Sequence, residues 1–335
     1  MNSYVFPSVV DSHNEELKNV APNLLNGMKI YEGGSGYLVG NLAFSEGLSP
    51  HKIINGSPTD LGYRLLVKAG LLLAAREPKG ALTVTMGLPF STYQLYRKEA
   101  VEVATGEHEI EYETSSFGGE GKARVRVIVK NTEVIPEIIG CVIGERHGEH
   151  LRGGNFFIAS LGYGTFEAIL STDGGIIQRS AVSTPGLRYA NTLLMNELTK
   201  NHYLGLRSEH QIDIAIKEGF LVTNRKKVDI REMHKSALRN YYNQVIHPEL
   251  RNAWTDVDFA KTSTLVLTGG GALYSELLDC FKNEFEGILS IVVSPNPLTL
   301  ASTGYYLHSL SLTNGNHAAS LGLDVGNSLT AVTVM

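Results

Sequence analysis

Asp324-Val-Gly326-Asn327-Ser328 lies between two apolar stretches, Leu321-Gly-Leu323 and Leu329 to Val334. An apolar strand that reaches a carboxylate, turns through small residues and leaves as a second strand can cradle phosphate in its backbone N–H groups. The aspartate can hold the accompanying cation. A second element of this kind runs from Phe156-Phe-Ile-Ala159 through Ser160-Leu-Gly162-Tyr-Gly164-Thr165 into Phe166, Ala168 and Leu170. A third glycine cluster, Gly269-Gly270-Gly271-Ala272, follows the apolar Leu265-Val-Leu267. Each has a plainer reading as well. An aspartate can simply cap its own turn, and a glycine triplet after a strand can simply be a tight entry into a helix.

These turns need strands and helices to hold them, and the chain alternates the two, as in α/β architecture. The spacing predicts a helix over 58–77 with a stop at Pro78-Lys-Gly80. It predicts a strand through Leu82, Val84 and Met86 into Gly87-Leu-Pro89, and a helix capped by Ser91 and ending near Ala104. His108–Tyr112 and Val125–Val129 read as a hairpin. Further helices are expected over 188–200, 208–219, 230–254, from Tyr274, and over 298–310, with strands at 265–267 and 291–293. Thr313 to Ser320 has linker composition. Residues 4–10, Tyr-Val-Phe-Pro-Ser-Val-Val, read as the strand that belongs directly after the Asp324 hairpin, so that joining the end of the chain to its start makes one three-strand meander.

Composition excludes several classes. The chain has 335 residues, 43% hydrophobic and 19% charged, with a formal net charge of −5. That is an ordinary globular balance, long enough for two domains, without the basic surface that nonspecific nucleic-acid binding requires. The short basic run Asn224-Arg-Lys-Lys227 reads as a solvated loop. Cys141 and Cys280 form no disulfide framework and fit a reducing compartment as buried thiols. No signal peptide is expected, and the longest apolar run, Leu71 to Ala75, is too short to span a bilayer. Glu145-Arg-His147-Gly-Glu149-His150 offers metal-binding residue types, but the interrupting Gly148 favours a solvated hinge loop.

Taken in order, these motifs resemble the actin-like ATPases, especially the ParM-type plasmid-segregation actins of bacteria and their archaeal relatives. The match covers nearly the whole chain once its last ~15 residues are moved to the front, a shift that falls at a hairpin connection. Asp324-Val-Gly326-Asn327 is similar to the first phosphate loop, and Phe6-Pro7-Ser8 to the strand after it. Val39-Gly40-Asn-Leu-Ala43, Gly87-Leu88-Pro89 and Pro136-Glu137-Ile-Ile-Gly140-Cys141 follow in family order. Ser160 to Thr165 resembles the second phosphate loop, Gly269 to Ala272 the adenosine loop, and Ala301-Ser302-Thr303-Gly304-Tyr305 the closing element.

The resemblance implies a circularly permuted two-domain actin-like (ribonuclease H-like) α/β fold with mixed sheets and an interdomain nucleotide cleft. Residues 1–150 plus 298–335 would form the first domain and 151–297 the second. Phosphates of ATP (or GTP) would meet Gly326, Asn327, Ser328 and Leu329 from one side and Gly162, Tyr163, Gly164 and Thr165 from the other. Asp324 would hold Mg2+. Lys217, Glu218, Gly269, Gly270, Gly271 and Ala272 would hold the nucleoside, although Lys217 and Glu218 also read as an exposed ion-pair face. Glu137 would orient or deprotonate the attacking water. Read from its position alone, after Pro136, it favours the dipole of the helix it starts. Ser160 stands where most relatives carry Asp. It can hydrogen-bond a metal-bound water but adds no charge, so hydrolysis is slow or rests on Glu137 and Asp324, with Glu167 keeping the usual acidic position beyond Thr165.

The function so implied is a cytoplasmic, nucleotide-driven filament that moves plasmid DNA. Its partners would be further copies of itself and a DNA-binding adaptor, without direct DNA or membrane binding. Two other classes stay open: a small-molecule kinase of the same superfamily, for which no substrate-pocket Asp base stands out, and a nucleotide-binding assembly scaffold, which Ser160 keeps open.

Overall fold

The computed structural model describes residues 1–54, 56–75, 80–201, 209–223 and 225–335. The chain forms two units, Met1–Arg152 with Leu298–Met335, and Gly153–Pro297.

The first unit opens with β1 (Asn2–Pro7), β2 (Val9–Ser12), β3 (Lys29–Glu32), β4 (Ser35–Val39), α1 (Asn41–Glu46), the two-residue β5 (His51–Lys52) and α2 (Leu61–Ala74). The part of the expected 58–77 helix at 76–77 and its stop at Pro78 lie outside the described residues, as do Ser208 and Asn224. Then come β6 (Leu82–Leu88), α3 (Phe90–Ala104), β7 (Gly106–Glu113), β8 (Lys122–Pro136) and α4 (Glu137–His147). The second unit holds β9 (Phe156–Leu161), β10 (Thr165–Thr172), β11 (Gly175–Pro185), α5 (Arg188–Asn201), α6 (Glu209–Glu218), β12 (Phe220–Thr223) and β13 (Lys226–Asp229). It continues with α7 (Arg231–Tyr241), α8 (His247–Ala253), α9 (Asp256–Phe259), β14 (Thr264–Thr268), α10 (Ser275–Glu284) and β15 (Ser290–Val293). The chain returns to the first unit with α11 (Leu300–Leu312), β16 (Ser320–Val325) and β17 (Leu329–Val334).

The first unit's sheet runs β1-β17-β16-β6-β8-β7-β3-β4-β2-β5. β16, β6 and β8 are mutually parallel, with Leu323 opposite Met86 and Leu88 opposite Pro136. The alternation of side chains along a strand gives this central strip two unlike faces. Leu321, Leu323, Val84, Met86 and Val332 pack with α2 in one aliphatic core. The intervening positions are small or hydroxylic and carry α11. There Thr85 meets the Ser309 hydroxyl at 2.8 Å, Thr333 meets Ser302 at 2.8 Å, and Ser309 donates to the Leu321 carbonyl at 2.9 Å. Buried hydroxyls paired in this way avoid the desolvation penalty, which explains a serine-rich helix in a core position.

The second unit's sheet runs β11-β10-β9-β14-β15, with β9, β14 and β15 parallel. Its core centres on Trp254, stacked on Phe157 at 4.0 Å and donating its indole N–H to the Ser180 carbonyl at 3.0 Å.

Several expectations are corrected. Ser91 makes no cap: the helix begins at Phe90, directly after Pro89. The 230–254 segment is not one regular helix, because a π turn at Tyr242–Ile246 separates α7 from α8. Pro248 has no N–H to give the carbonyl four residues back, and a wider turn accommodates that loss. Glu145 is no loop residue. Gly148 ends α4 rather than interrupting it earlier, and Glu145 is fully buried inside that helix, paired with Arg152 Nε at 2.6 Å. Lys226 and Lys227 begin a strand, and the Lys227 ammonium lies 3.5 Å from the Phe220 ring centroid. Cys141 is buried, but Cys280 is only partly so.

Candidate functional site

In the first unit the C-terminal ends of the parallel strands β16, β6 and β8 come to one edge, where ligands of α/β sheets bind. That edge carries Asp324, Gly87-Leu88 and Pro136 with Glu137. Glu137 is the first residue of α4. The turn after Asp324 is closed by the Gly326 N–H on the Leu329 carbonyl at 3.1 Å. It is clamped from outside by Ser8, whose N–H donates to the Ser328 carbonyl at 2.9 Å and whose hydroxyl meets Thr330 at 2.9 Å. Lys52 on β5 donates from Nζ to the Ser328 hydroxyl at 3.4 Å. The turn itself carries no lysine, as the sequence indicates, yet a lysine reaches it from elsewhere in the fold.

Burial, and secondly the negative charge of Glu137, push the Asp324 carboxyl well above the usual carboxylate range. The Tyr63 hydroxyl on α2 is buried without a hydrogen-bond partner among the described residues. Burial and then the charge of Asp324 hold the Tyr63 phenol above its ordinary value. Two carboxylates and an orphaned hydroxyl within electrostatic reach form an oxygen-rich corner. Among the described residues no three or more His, Cys, Asp or Glu side chains gather to hold a metal by themselves. Mg2+ suits such a corner, because it keeps its waters and is typically held by one or two carboxylates plus a ligand's phosphates. Asp324, with Glu137 beside it, would hold the hydrated ion.

In the second unit β9 and β14 end together, Thr268 opposite Ser160. The carbonyls of Gly162, Tyr163 and Gly164 accept from the N–H groups of Leu187, Arg188 and Gly186 at 3.0, 2.9 and 3.0 Å. Gly186 must be glycine, since a Cβ there would stand 2.6 Å from the Thr165 nitrogen and 2.7 Å from the Tyr163 carbonyl oxygen. Gly269 has φ +80° and rests on the end of β9, where an added Cβ would meet the Leu161 carbonyl at 2.8 Å. Its N–H donates to the Pro297 carbonyl at 2.9 Å. Ser160 is buried and pairs across the ladder with Glu167, which is fully buried and accepts from the Ser183 hydroxyl at 3.1 Å.

A cavity of about 400 Å³ opens beside the glycine loop, lined by Tyr274, His234, Lys235, Arg231 and Gly219 among others. His234 meets the Tyr274 ring edge-on at 5.2 Å, and burial lowers its pKa. Lys217 and Glu218, at the end of α6, are exposed and do not line this cavity.

The predicted residues therefore gather in two sets. Asp324, Glu137 and Gly326–Leu329 share an edge of the first unit. Ser160, Gly162–Thr165 and Gly269–Ala272 share an edge of the second. Sequence reasoning missed Lys52, Tyr63 and Gly186. Only Gly186 left a signal, as the glycine between Pro185 and the helix at Arg188.

This is the two-domain actin-like α/β fold. Residues 1–140 match the sequence profile of the family described as Actin like proteins N terminal domain. The chain is similar to the solved structure of a pCBH ParM non-polymerisable quadruple mutant, at TM-score 0.73 and 15% identity, over 91% of this chain and 92% of that one. It is also similar to an archaeal actin homolog in complex with ADP, at TM-score 0.67 and 16% identity, over 92% of each chain. Likewise it resembles a 15-stranded ParM filament from Clostridium botulinum, at TM-score 0.72 and 15% identity, over 91% and 92%. No curated protein sequence matches. Among the described residues no helix is long and apolar enough to cross a membrane.

Proposed function

We propose that this protein is a cytoplasmic ParM-type actin-like ATPase whose polymerisation is driven by nucleotide and which segregates plasmid DNA. It binds Mg2+ with ATP or GTP. The observation that carries the reading is the pair of strand–turn–strand elements, β16–β17 and β9–β10, each ending in a glycine turn at the carboxyl end of a parallel strand. Phosphates bind the N–H groups of Gly326–Leu329 and of Gly162–Thr165. The nucleoside lies against Gly269–Ala272, with Lys217 and Glu218 as its further contacts. The ADP complex of the archaeal homolog supports a nucleotide in this fold, and the ParM filament supports self-assembly.

Glu137 would orient the attacking water, Asp324 would hold the hydrated Mg2+, and Ser160 could hydrogen-bond one of its waters. A water-positioning carboxylate at a helix N-terminus beside the metal corner suits that role. The first phosphate hairpin follows α11 in this chain, yet β17 lies between β16 and β1 in the sheet. That order supports a circular permutation of the ParM arrangement. The partners are further copies of the chain and a DNA-binding adaptor.

Sedimentation with ATP, GTP, each diphosphate and no nucleotide tests the proposal. Polymer should pellet with a triphosphate and Mg2+, and phosphate should appear in solution. Phosphate transferred to a small molecule would favour a kinase. A soluble, nucleotide-bound protein under every condition would favour a scaffold.

A further inference from the structure

The Asp324 hairpin has a charge problem if it binds polyphosphate. From Thr313 to Met335 the chain contains no lysine or arginine. Its edge instead brings Asp324 near Glu137, whose charges already oppose each other. One Mg2+ offsets only part of the charge of a triphosphate. A cation must come from another part of the fold.

We propose that Lys52 is that cation, a phosphate ligand delivered to the turn by β5. The proposal rests on the nucleotide reading above and deepens it. Its placement is built by backbone. Lys52 pairs with Val9 across the β2–β5 ladder, and the Ile53 N–H donates to the Ser8 carbonyl at 3.1 Å. The same Ser8 donates its own N–H to the Ser328 carbonyl at 2.9 Å. Ser8, fully buried, is thus the common anchor of the turn and of the strand that carries the lysine. The half-buried side chain reaches inward to Ser328 Oγ at 3.4 Å, which puts its ammonium at the phosphate turn. An ammonium on a flexible stem can turn its three donors from a serine hydroxyl to phosphate oxygens with little rearrangement. Partial burial strengthens that interaction relative to open water. Lys52 should therefore respond to the number of phosphates present and be indifferent to the nucleoside.

The test titrates the full-length protein with the β,γ-imido analogue of ATP or GTP, whichever the wild type binds, and with the matching nucleoside. Lys52→Gln and Lys52→Arg are compared with wild type. Lys52→Gln should weaken the triphosphate analogue by ~10–100-fold, as expected for losing a charged hydrogen bond. Nucleoside affinity should not change. Lys52→Arg should restore most of the loss, and the salt dependence of analogue binding should be shallower in Lys52→Gln. Unchanged analogue affinity in Lys52→Gln would overturn the proposal. So would equal weakening of analogue and nucleoside, which would mark a structural role. Failure of the wild type to bind either ligand would remove the nucleotide reading itself, and Lys52 with it. Tight binding by both wild type and Lys52→Gln removes Lys52 alone.

Discussion

Gly140→Ala sets two effects of opposite sign against each other, and the structure decides between them. In a helix interior alanine is favoured over glycine by about 1 kcal/mol, so propensity alone predicts a gain. Gly140, however, is where α4 meets α11. A Cβ there would stand 2.6 Å from Tyr305 Cδ1 and 3.0 Å from Cζ, with Cε1 closer still. Carbon atoms are comfortable at about 3.5–4.0 Å, so the ring must retreat by roughly 1.5 Å or more. It has little room, since a Cβ on Gly304 in the same helix would lie 2.6 Å from the Gly140 carbonyl carbon. Overpacking of this kind costs about 1–3 kcal/mol and occasionally more. The overlap here puts the cost at the upper end of that range, so after the gain of about 1 kcal/mol the net expectation is destabilisation by about 2 kcal/mol, or about 4–8 °C in Tm for a domain of this size. Scanning calorimetry of Gly140→Ala, Tyr305→Ala and the double variant completes the cycle. With the ring removed, the second substitution should be neutral or stabilising. A Gly140→Ala protein that melts at or above wild type would refute the reasoning. So would an equal cost in both backgrounds.

Asp324→Asn should stabilise the ligand-free protein at neutral pH. Folding raises the Asp324 pKa, so this group's contribution is fully present below its unfolded value of about 3.9 and is lost as pH rises through the folded value. An amide escapes that loss: its Tm should exceed wild type at pH 7 and converge with it near pH 4, while Mg2+-dependent nucleotide binding falls. A gap that widens toward acid would contradict the sign. Glu137→Ala should bind nucleotide and polymerise but release phosphate ~10²–10⁴-fold more slowly, leaving longer-lived filaments. Wild-type release rates would move the role elsewhere. Tyr63→Phe removes a buried hydroxyl that has no partner among the described residues, so it should raise the ligand-free stability by about 1 kcal/mol in a denaturant melt. A marked loss would show that the hydroxyl is paired.

What the sequence revealed was local. Asp324-Val-Gly326 and Gly162-Tyr-Gly164 each lie in a short strand–glycine–strand run, so the strands that flank these turns are legible from spacing. Helices with an apolar face, such as α2, were legible for the same reason. What stayed hidden depends on distant contacts. Lys52 and Ser328 are separated by 276 positions, and a two-residue strand has no periodicity to read. Tyr63 looks like any aromatic on an apolar helix face until its hydroxyl is found without a partner. Lys29 is fully buried, its ammonium 2.7 Å from Glu113. Such a pairing needs both partners to be placed by the whole sheet. The π turn before α8 was signalled only by Pro248, within a segment whose apolar positions otherwise fit one helix.

The most direct measurement of the central claim is an electron-microscopy map of the protein with Mg2+ and a non-hydrolysable triphosphate, at a resolution that shows side chains. The account predicts filaments in which each subunit holds one nucleotide, its phosphates on the N–H groups of Gly326–Leu329 and Gly162–Thr165, with the metal beside Asp324. Single particles without polymer, or a nucleotide bound away from both turns, would contradict it.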